Sequence, residues 1–508
     1  MHNESPPIDL QFYDLKQRFD AMWLEESMNN LCDTIPKSNW DNKLALVYKN
    51  NSENLVAVKT PFGLTERVVI KDIVTQGGVW GPIQCSNQMD GLGRECFERN
   101  IHLYDYKGCV KVLPLAMIDD VLAIAKCGIN SFAMNTFINA KIEMNKLLFS
   151  EPKCKHLHSG KCNPFCPLLE VHGEAMKKSN EEKYLGDLIG DTIMGDGSNK
   201  KNVTKRKAKG IGIVAQIMVI METVSLGFFV FEIAMILRES LLLNGMLFNC
   251  EVWYGLTKAQ VIELAAVDKL LLRRVLRVPI STPTEAMYLE LGIVPIEFVL
   301  MGRRVMFLHY ILNLDETEML SLFFFAQWRS PCKNDWTETV KKDLAALGIT
   351  LPLQAIKIHS HEQIKNLVKA KCRALAFNVL METKSSHSKM SSLCYEDLSM
   401  RPYFTDKLLC SDARLLFMFR TRMIRVRVNY RNSHQSNLSC PLCQAEEDTQ
   451  QHLLVCSKIH TTAALPNVDY MDIFGCDTAL MKKTIQVLKE ALWKREELLS
   501  SKELPELN

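Results

Sequence analysis

The spacing of apolar residues divides this chain into regions of different character. Over the first 190 residues, short runs of strand formers alternate with helical stretches. The segment opening at Phe12 has strand character and runs into Asp20 to Met28, which predicts a helix. Leu44 to Lys49, Leu55 to Lys59 and Val68 to Val74 predict short strands, and Thr60-Pro61-Phe62-Gly63 predicts a turn. Ile129 to Leu148 predicts a helix, with Phe132, Phe137, Ile138, Ile142 and Leu147 at roughly helical spacing. The pattern is α+β, a mixed sheet with helices packed on one face.

A cluster of Gly, Asp and Asn from Gly186 to Asn199 then breaks the pattern. A basic run follows, with Lys200, Lys201, Lys205, Arg206, Lys207 and Lys209, and a solvated loop accounts for it simply. From Gly210 to about residue 330 the chain is helical and apolar, and from 331 to 438 it becomes a more polar helical series. A Ser- and His-rich loop is expected near Ser385 to Ser392. Cys440 to Cys456 is compact and rich in Cys and His, and Thr478 to Leu499 predicts an amphipathic helix.

Composition adds limits. A chain of 508 residues with 47% hydrophobic content has material for two to four domains with their own cores. The net charge of +3 carries no strong statement about nucleic acid, so local charge matters more. Met1 to Pro7 is polar and acidic, unlike a secretion signal. The 17 cysteines are scattered, which points to a reducing compartment, nuclear or cytoplasmic, with some thiols buried and some on metal. Ile211 to Leu237 is apolar, but Glu222 and Glu232 interrupt it, and it reads as buried helix rather than a membrane span.

The most pointed chemistry is the doublet Asp119-Asp120 inside the apolar run from Val112 to Ile124. Burial disfavours both charges, and each raises the pKa of the other, so a cation would offset the cost. Asp14, which ends the run Leu10-Gln11-Phe12-Tyr13, is the natural third carboxylate. Strand ends that place Asp14 beside Asp119 would supply hard oxygen ligands for Mg²⁺. Taken singly, Asp14 also reads as a turn former or cap, and the doublet as a solvated strand end.

The order of short motifs resembles the reverse transcriptase region of non-LTR (LINE-type) retrotransposons. Asp14-Leu15-Lys16-Gln17-Arg18-Phe19-Asp20 is similar to the first catalytic motif of that family. The resemblance implies a metal-binding role for Asp14 and a steric gate at Phe19 that excludes a 2′-hydroxyl. Gln76-Gly77-Gly78-Val79-Trp80-Gly81-Pro82 resembles the motif that lines the nascent base pair. Met117-Ile118-Asp119-Asp120 resembles the aromatic-x-Asp-Asp box, with Met117 in place of the usual Phe or Tyr. Lys153 lies where the family places a lysine near the pyrophosphate, and Tyr184-Leu185-Gly186 resembles the primer grip. The expected architecture is then a palm over 1–190, a thumb-like helical region over 191–330, a helical connector over 331–438, a zinc knuckle over 439–457 and a helical tail over 458–508.

The implied activity is RNA-directed DNA synthesis by two-metal nucleotidyl transfer, with Asp14, Asp119, Asp120 and Lys153 catalytic, and Phe19, Gln76 and Gly77 contacting the deoxynucleoside triphosphate. The implied partners are an RNA template, a DNA primer and domains encoded upstream in the same element, with no membrane. Only thirteen residues precede Asp14, so the family's fingers region is expected to be missing. An inactive RNA- or DNA-binding remnant is therefore the alternative. The basic run from Lys200 would meet the template–primer backbone. Arg420, Arg422, Arg425 and Arg427, interleaved with apolar residues, would either face RNA or snorkel from an amphipathic element.

Cys440, Cys443, His452 and Cys456 have the spacing C-x₂-C-x₈-H-x₃-C, and four such ligands with no open position predict a structural Zn²⁺. The family carries a knuckle of this type after its polymerase. Cys154, His156, His158, Cys162 and Cys166 form a second group, read as a loop that either binds zinc or leaves its histidines exposed.

Overall fold

A computed structural model describes residues 7–16, 53–57, 59–60, 63–71, 89, 91–101, 104–108, 110–117, 119–160, 167–190, 196–223, 229–331, 335–385, 387, 390, 393–405, 408–430, 437–459 and 478–500. It falls into two compact units. The first comprises Met1–Asn202 with Asp315–Ser330, and the second Val203–Leu314 with Pro331–Asn508. The segment expected to end a thumb-like region at 330 thus belongs to the first unit. The Cys/His segment Cys440 to Cys456 and the C-terminal helix belong to the second.

The first unit is built on a five-stranded sheet of β1 (Ile8–Asp14), β2 (Leu115–Met117), β3 (Asp120–Lys126), β4 (Lys155–Ser159) and β5 (Lys177–Ser179), in the order β5-β4-β1-β3-β2. β1 is central and antiparallel to both β3 and β4. Alternation along β1 assigns its faces. Leu10 and Phe12 pack with Leu122 and Leu157 on one side. Tyr13 joins Val121, Ala123 and Ala125 on the other, against Met134, Ile138 and Ile142 of helix α1 (Ile129–Met144).

This second face buries polar groups that the hydrophobic pattern does not announce. Gln11 is fully buried; its amide donates to the Ser131 carbonyl and hydroxyl at 2.8 Å each. The Tyr13 hydroxyl donates to Gln11 at 2.6 Å and accepts from Asn135 at 2.9 Å. Each donor has an acceptor, so the chain of bonds fixes α1 against β1 instead of penalising the core.

The sequence expectations hold for several elements. The strand at Phe12 begins earlier, at Ile8. Glu53–Val56 pairs with Val68–Lys71, and Lys59–Thr60 with Gly63–Leu64 around the expected turn. Leu44 to Lys49, the helix expected over Asp20 to Met28, Phe19, Gln76 and Gly77 lie outside the described residues. Lys200 to Lys209 lies on a long helix, α2 (Asp196–Thr223), which removes the solvated-loop alternative for the basic run. Lys, Arg and Ala are good helix formers, and the Gly-Ser-Asn cluster supplies only its opening.

The second unit is helical. Buried charge networks tie it together, among them those at Asp268 and Glu290. Arg238 pairs bidentately with Asp268 at 2.6 and 2.8 Å, and Tyr288 adds a bond to the same carboxylate at 3.1 Å. Glu290, with no exposure, accepts from Tyr395 and Tyr403 at 2.7 Å each and from Arg420 at 3.1 Å. Arg420 is therefore an internal counter-ion and not an RNA contact. Arg427 also turns inward, donating to the Ser439 carbonyl at 3.0 Å. Arg425 is exposed and Arg422 half-buried. Among the described residues no helix is long and apolar enough to cross a membrane.

Candidate active site

The carboxylates meet at one end of the sheet. In the β1–β3 ladder Asp14 lies directly opposite Asp120. Asp119 is one residue before β3, in the tight connection from β2, and its carbonyl accepts the Leu15 N–H at 2.9 Å. Period-two alternation puts Asp14 and Asp120 on the face of Phe12 and Leu122, away from α1. The sequence run that looked costly is thus a hairpin end at which Asp120 faces a cleft and Asp119 is exposed.

The continuation of β1 is fastened from the other side. Lys16 donates to the Leu148 carbonyl, and Ser150 to the Asp14 carbonyl, both at 2.8 Å. A short 3₁₀ turn at Glu151–Lys153 then delivers Lys153 to Asp14, with Nζ at 3.0 and 3.2 Å from the two carboxylate oxygens. The cleft holds about 270 Å³ and is lined by Asp14, Asp120, Lys153, Lys155, Lys183 and Tyr184, among others.

The electrostatics follow from this crowding. Burial first, then the charges of Asp119 and Asp14, push the Asp120 carboxyl above the usual aspartate range; Lys153 and Lys183 pull against them. The hydrogen bond to Asp14 and its charge raise the Lys153 ammonium. Burial pushes the Tyr184 hydroxyl up to about 12. Tyr184 packs edge-on to Phe12, with ring centroids 6.3 Å apart. It precedes a two-residue turn between Glu181–Tyr184 and Asp187–Gly190, with Leu185 at φ 45° and Gly186 at φ 95°. Two left-handed residues in succession are what a tight antiparallel hairpin requires.

The structure therefore brings Asp14, Asp119, Asp120 and Lys153 to one locus. Met117, expected to fill an aromatic position, is half-exposed at the hairpin. Lys155, Glu182 and Lys183 also face the cleft, and the sequence reading passed over them. Glu182 and Lys183 stand in a charged run just before the Tyr-Leu-Gly turn, and Lys155 stands two residues after Lys153. Lys155 and Glu182 hold each other at 2.8 Å.

Asp14 and Asp120 offer hard oxygen ligands to the solvent-reached cleft, and Asp119 and Asp14 bring like charge to Asp120 that a cation would relieve, but these three aspartates are not among the described groups whose ligand atoms lie within 4.8 Å of one another. The Cys/His group fits a different ion. The ligand atoms of Cys440, Cys443, His452 and Cys456 all lie within 4.8 Å of one another, a set compatible with zinc. Cys440 and Cys456 sulfurs are 3.9 Å apart, and Cys443 Sγ is 3.2 Å from His452 Nε2. His452 Nδ1 meets Glu446 at 2.9 Å, which leaves Nε2 for the metal. Thr449 caps the short helix Gln450–Val455 by accepting from the His452 N–H, so cap and ligand are set together. Backbone N–H groups of Ala445 and Glu446 help pull the Cys443 thiol down to about 6.

The second Cys/His group is not a loop at its start. His156 and His158 lie on β4, and Cys154 is buried in the core beside Tyr13. Cys162 and Cys166 lie outside the described residues.

No protein-family model matches this chain, and no curated protein matches it. Among solved structures it is similar to telomerases. Apo telomerase of Candida tropicalis has a TM-score of 0.31 at 13% identity, over 72% of this chain and 53% of that one. Telomerase of Candida albicans in complex with a fragment of telomeric RNA has a TM-score of 0.31 at 12% identity, over 77% of this chain and 49% of that one. A C. tropicalis form truncated at its C-terminal domain has a TM-score of 0.29 at 14% identity, over 38% of this chain and 36% of that one. The chain spans about half of these proteins' length or less. Likeness at this level assigns neither family nor activity, and the functional reading rests on the site.

Proposed function

We propose that the chain is part of an RNA-directed DNA polymerase of the non-LTR retroelement type, with Asp14, Asp119 and Asp120 as the metal-binding carboxylates. The observation that carries this reading is the register of Asp14 opposite Asp120, with Asp119 beside them and Lys153 on the same carboxylate. Bound Mg²⁺ would activate the primer hydroxyl and stabilise the leaving pyrophosphate. The chain's own residues do the rest. Asp14 and Asp120 hold their oxygens from two hydrogen-bonded strands, whose spacing the ladder fixes. Lys153 keeps an ammonium at the cleft, placed to give a proton to the leaving pyrophosphate. The turn at Leu185-Gly186 serves as the primer contact. By resemblance, Phe19 gates the sugar, and Gln76 and Gly77 line the base pair. Zn²⁺ at Cys440, Cys443, His452 and Cys456 has a structural role.

The test is primer extension on an RNA template with purified protein and Mg²⁺. Wild type is expected to extend the primer, and Asp119→Asn and Asp14→Asn to reduce extension by orders of magnitude. Equal extension by all three rejects the assigned site.

One observation favours a second reading. Lys153 occupies both oxygens of Asp14, the position a cation would take. If that pair persists with the ion present, the chain is an inactive remnant that binds RNA or DNA. That reading predicts salt-sensitive binding, lost on replacing Cys440 or Cys443, with no extension by any variant.

A further inference from the structure

The opposite end of β1 carries a second constellation. Asp9 lies directly across from His158 in the β1–β4 ladder and from Ala125 in the β1–β3 ladder. Cys127, two residues beyond Ala125, returns to the same face, and its N–H donates to the Pro7 carbonyl at 3.0 Å. One carboxylate oxygen, one sulfur and one imidazole nitrogen from these three residues all lie within 4.8 Å of one another. Asp9 is only 6% exposed, and the His158 side chain 9%. The group is five residues along β1 from Asp14, roughly 17 Å at strand rise.

The imidazole shows what the cluster lacks. His158 Nδ1 is 2.7 Å from Asp9 Oδ1, and Nε2 is 3.1 Å from the Gly160 carbonyl oxygen. Both ring nitrogens face acceptors. A neutral imidazole has one N–H, so one of these contacts would set lone pair against lone pair. Either a second proton or a metal ion at Nδ1 resolves this. A second proton gives a simple ion pair. A metal ion uses all three groups. In that arrangement Nε2–H donates to a backbone carbonyl, the outer bond that orients metal-ligating histidines.

We propose that Asp9, Cys127 and His158 bind Zn²⁺, with a water in the fourth position. Sulfur, imidazole and carboxylate together select zinc over the hard ions suited to the carboxylate cleft. Tetrahedral zinc spaces such ligands about 3.2–3.8 Å apart, so small side-chain rotations close the set. On binding, the Cys127 thiol and the His158 Nδ1 position each release to solvent any proton they hold, and no redox change occurs. The ion would join the Ile8 end of β1 to the ends of β3 and β4. This site is independent of the polymerase reading.

Metal content separates the ion pair from the zinc site. Protein purified with Zn²⁺ and dialysed against metal-free buffer is expected to retain two zinc ions per chain by mass spectrometry of the elements. Cys127→Ser with His158→Gln should retain one, because the knuckle is intact. An equal count in wild type and this double variant overturns the proposal. A second measurement uses Co²⁺ in protein carrying Cys440→Ser and Cys443→Ser. A thiolate-to-cobalt charge-transfer band is expected there, and it should vanish on adding Cys127→Ser. A band that survives that change also overturns it.

Discussion

Asp120 concentrates the electrostatic strain of the cleft. Burial and the charges of Asp119 and Asp14 all favour its protonated form. A divalent ion must displace that proton, so binding strengthens as pH rises through the elevated Asp120 pKa and is lost below it. The expected midpoint for Mn²⁺ binding, followed by calorimetry, lies above the ordinary aspartate range. In metal-free protein, Asp119→Asn removes one like charge and should lower the Asp120 pKa, followed by NMR of its carboxyl carbon; an unmoved pKa contradicts the coupling. The three aspartates were legible in the sequence because adjacent carboxylates in an apolar run demand an explanation. Lys183 and Glu182 were not, since their place in the cleft depends on how a separate hairpin folds back. Arg420 shows the opposite failure. Its neighbours made it look like a surface cation, whereas Glu290, 130 residues earlier, neutralises it in the core.

At the scale of elements, the sheet was legible and its fastening was not. Strand character at Phe12 marked part of β1, and the acidic doublet was read as a strand end, which the structure makes the start of β3. The bonds that hold α1 to β1 run through Gln11, Tyr13 and Asn135, polar side chains that sequence patterns assign to the surface. Asn135→Ala leaves the Tyr13 hydroxyl and the Glu170 N–H and carbonyl without that partner. It should lower stability by about 1–3 kcal/mol, measured by urea denaturation. A loss below a few tenths would show that water replaces the amide. A solvated loop was one of two readings of the basic run, since runs of charge are commonly solvated. Packing decided otherwise. On α2, a Cβ at Gly210 would lie 2.8 Å from Met246 Sδ and 3.0 Å from Val267 Cγ1, so the bare glycine lets the helix pack closely against both.

For the whole molecule, stability of the second unit is expected to depend on buried charge and on zinc. Glu290→Ala removes the carboxylate that Arg420 and two tyrosine hydroxyls share, and its expected cost is about 3–5 kcal/mol. Thermal denaturation of the variant checks this, and an unchanged midpoint would contradict it. The knuckle is packed into a core that includes Phe419, Leu453, Leu488 and Ala491. Asp448, fully buried, receives both Arg495 nitrogens at 2.6 and 2.7 Å, tying the C-terminal helix Thr478–Ser500 to the knuckle. Chelation of zinc should therefore lower the melting temperature and increase hydrogen exchange in that helix as well as in the knuckle. Exchange confined to residues 440–456 would contradict the coupling. The cysteine and histidine spacing made the Cys/His set visible in the sequence, whereas the Arg495–Asp448 link spans too many residues to be read there.

The carboxylate cleft itself is tested most directly by counting bound Mn²⁺. Electron paramagnetic resonance would measure it on protein holding an RNA template, a terminated DNA primer and the next deoxynucleoside triphosphate. Wild type is expected to show protein-dependent Mn²⁺ binding that the combined Asp14→Asn and Asp120→Asn changes abolish. The same bound Mn²⁺ in wild type and variant would contradict a metal site at these residues.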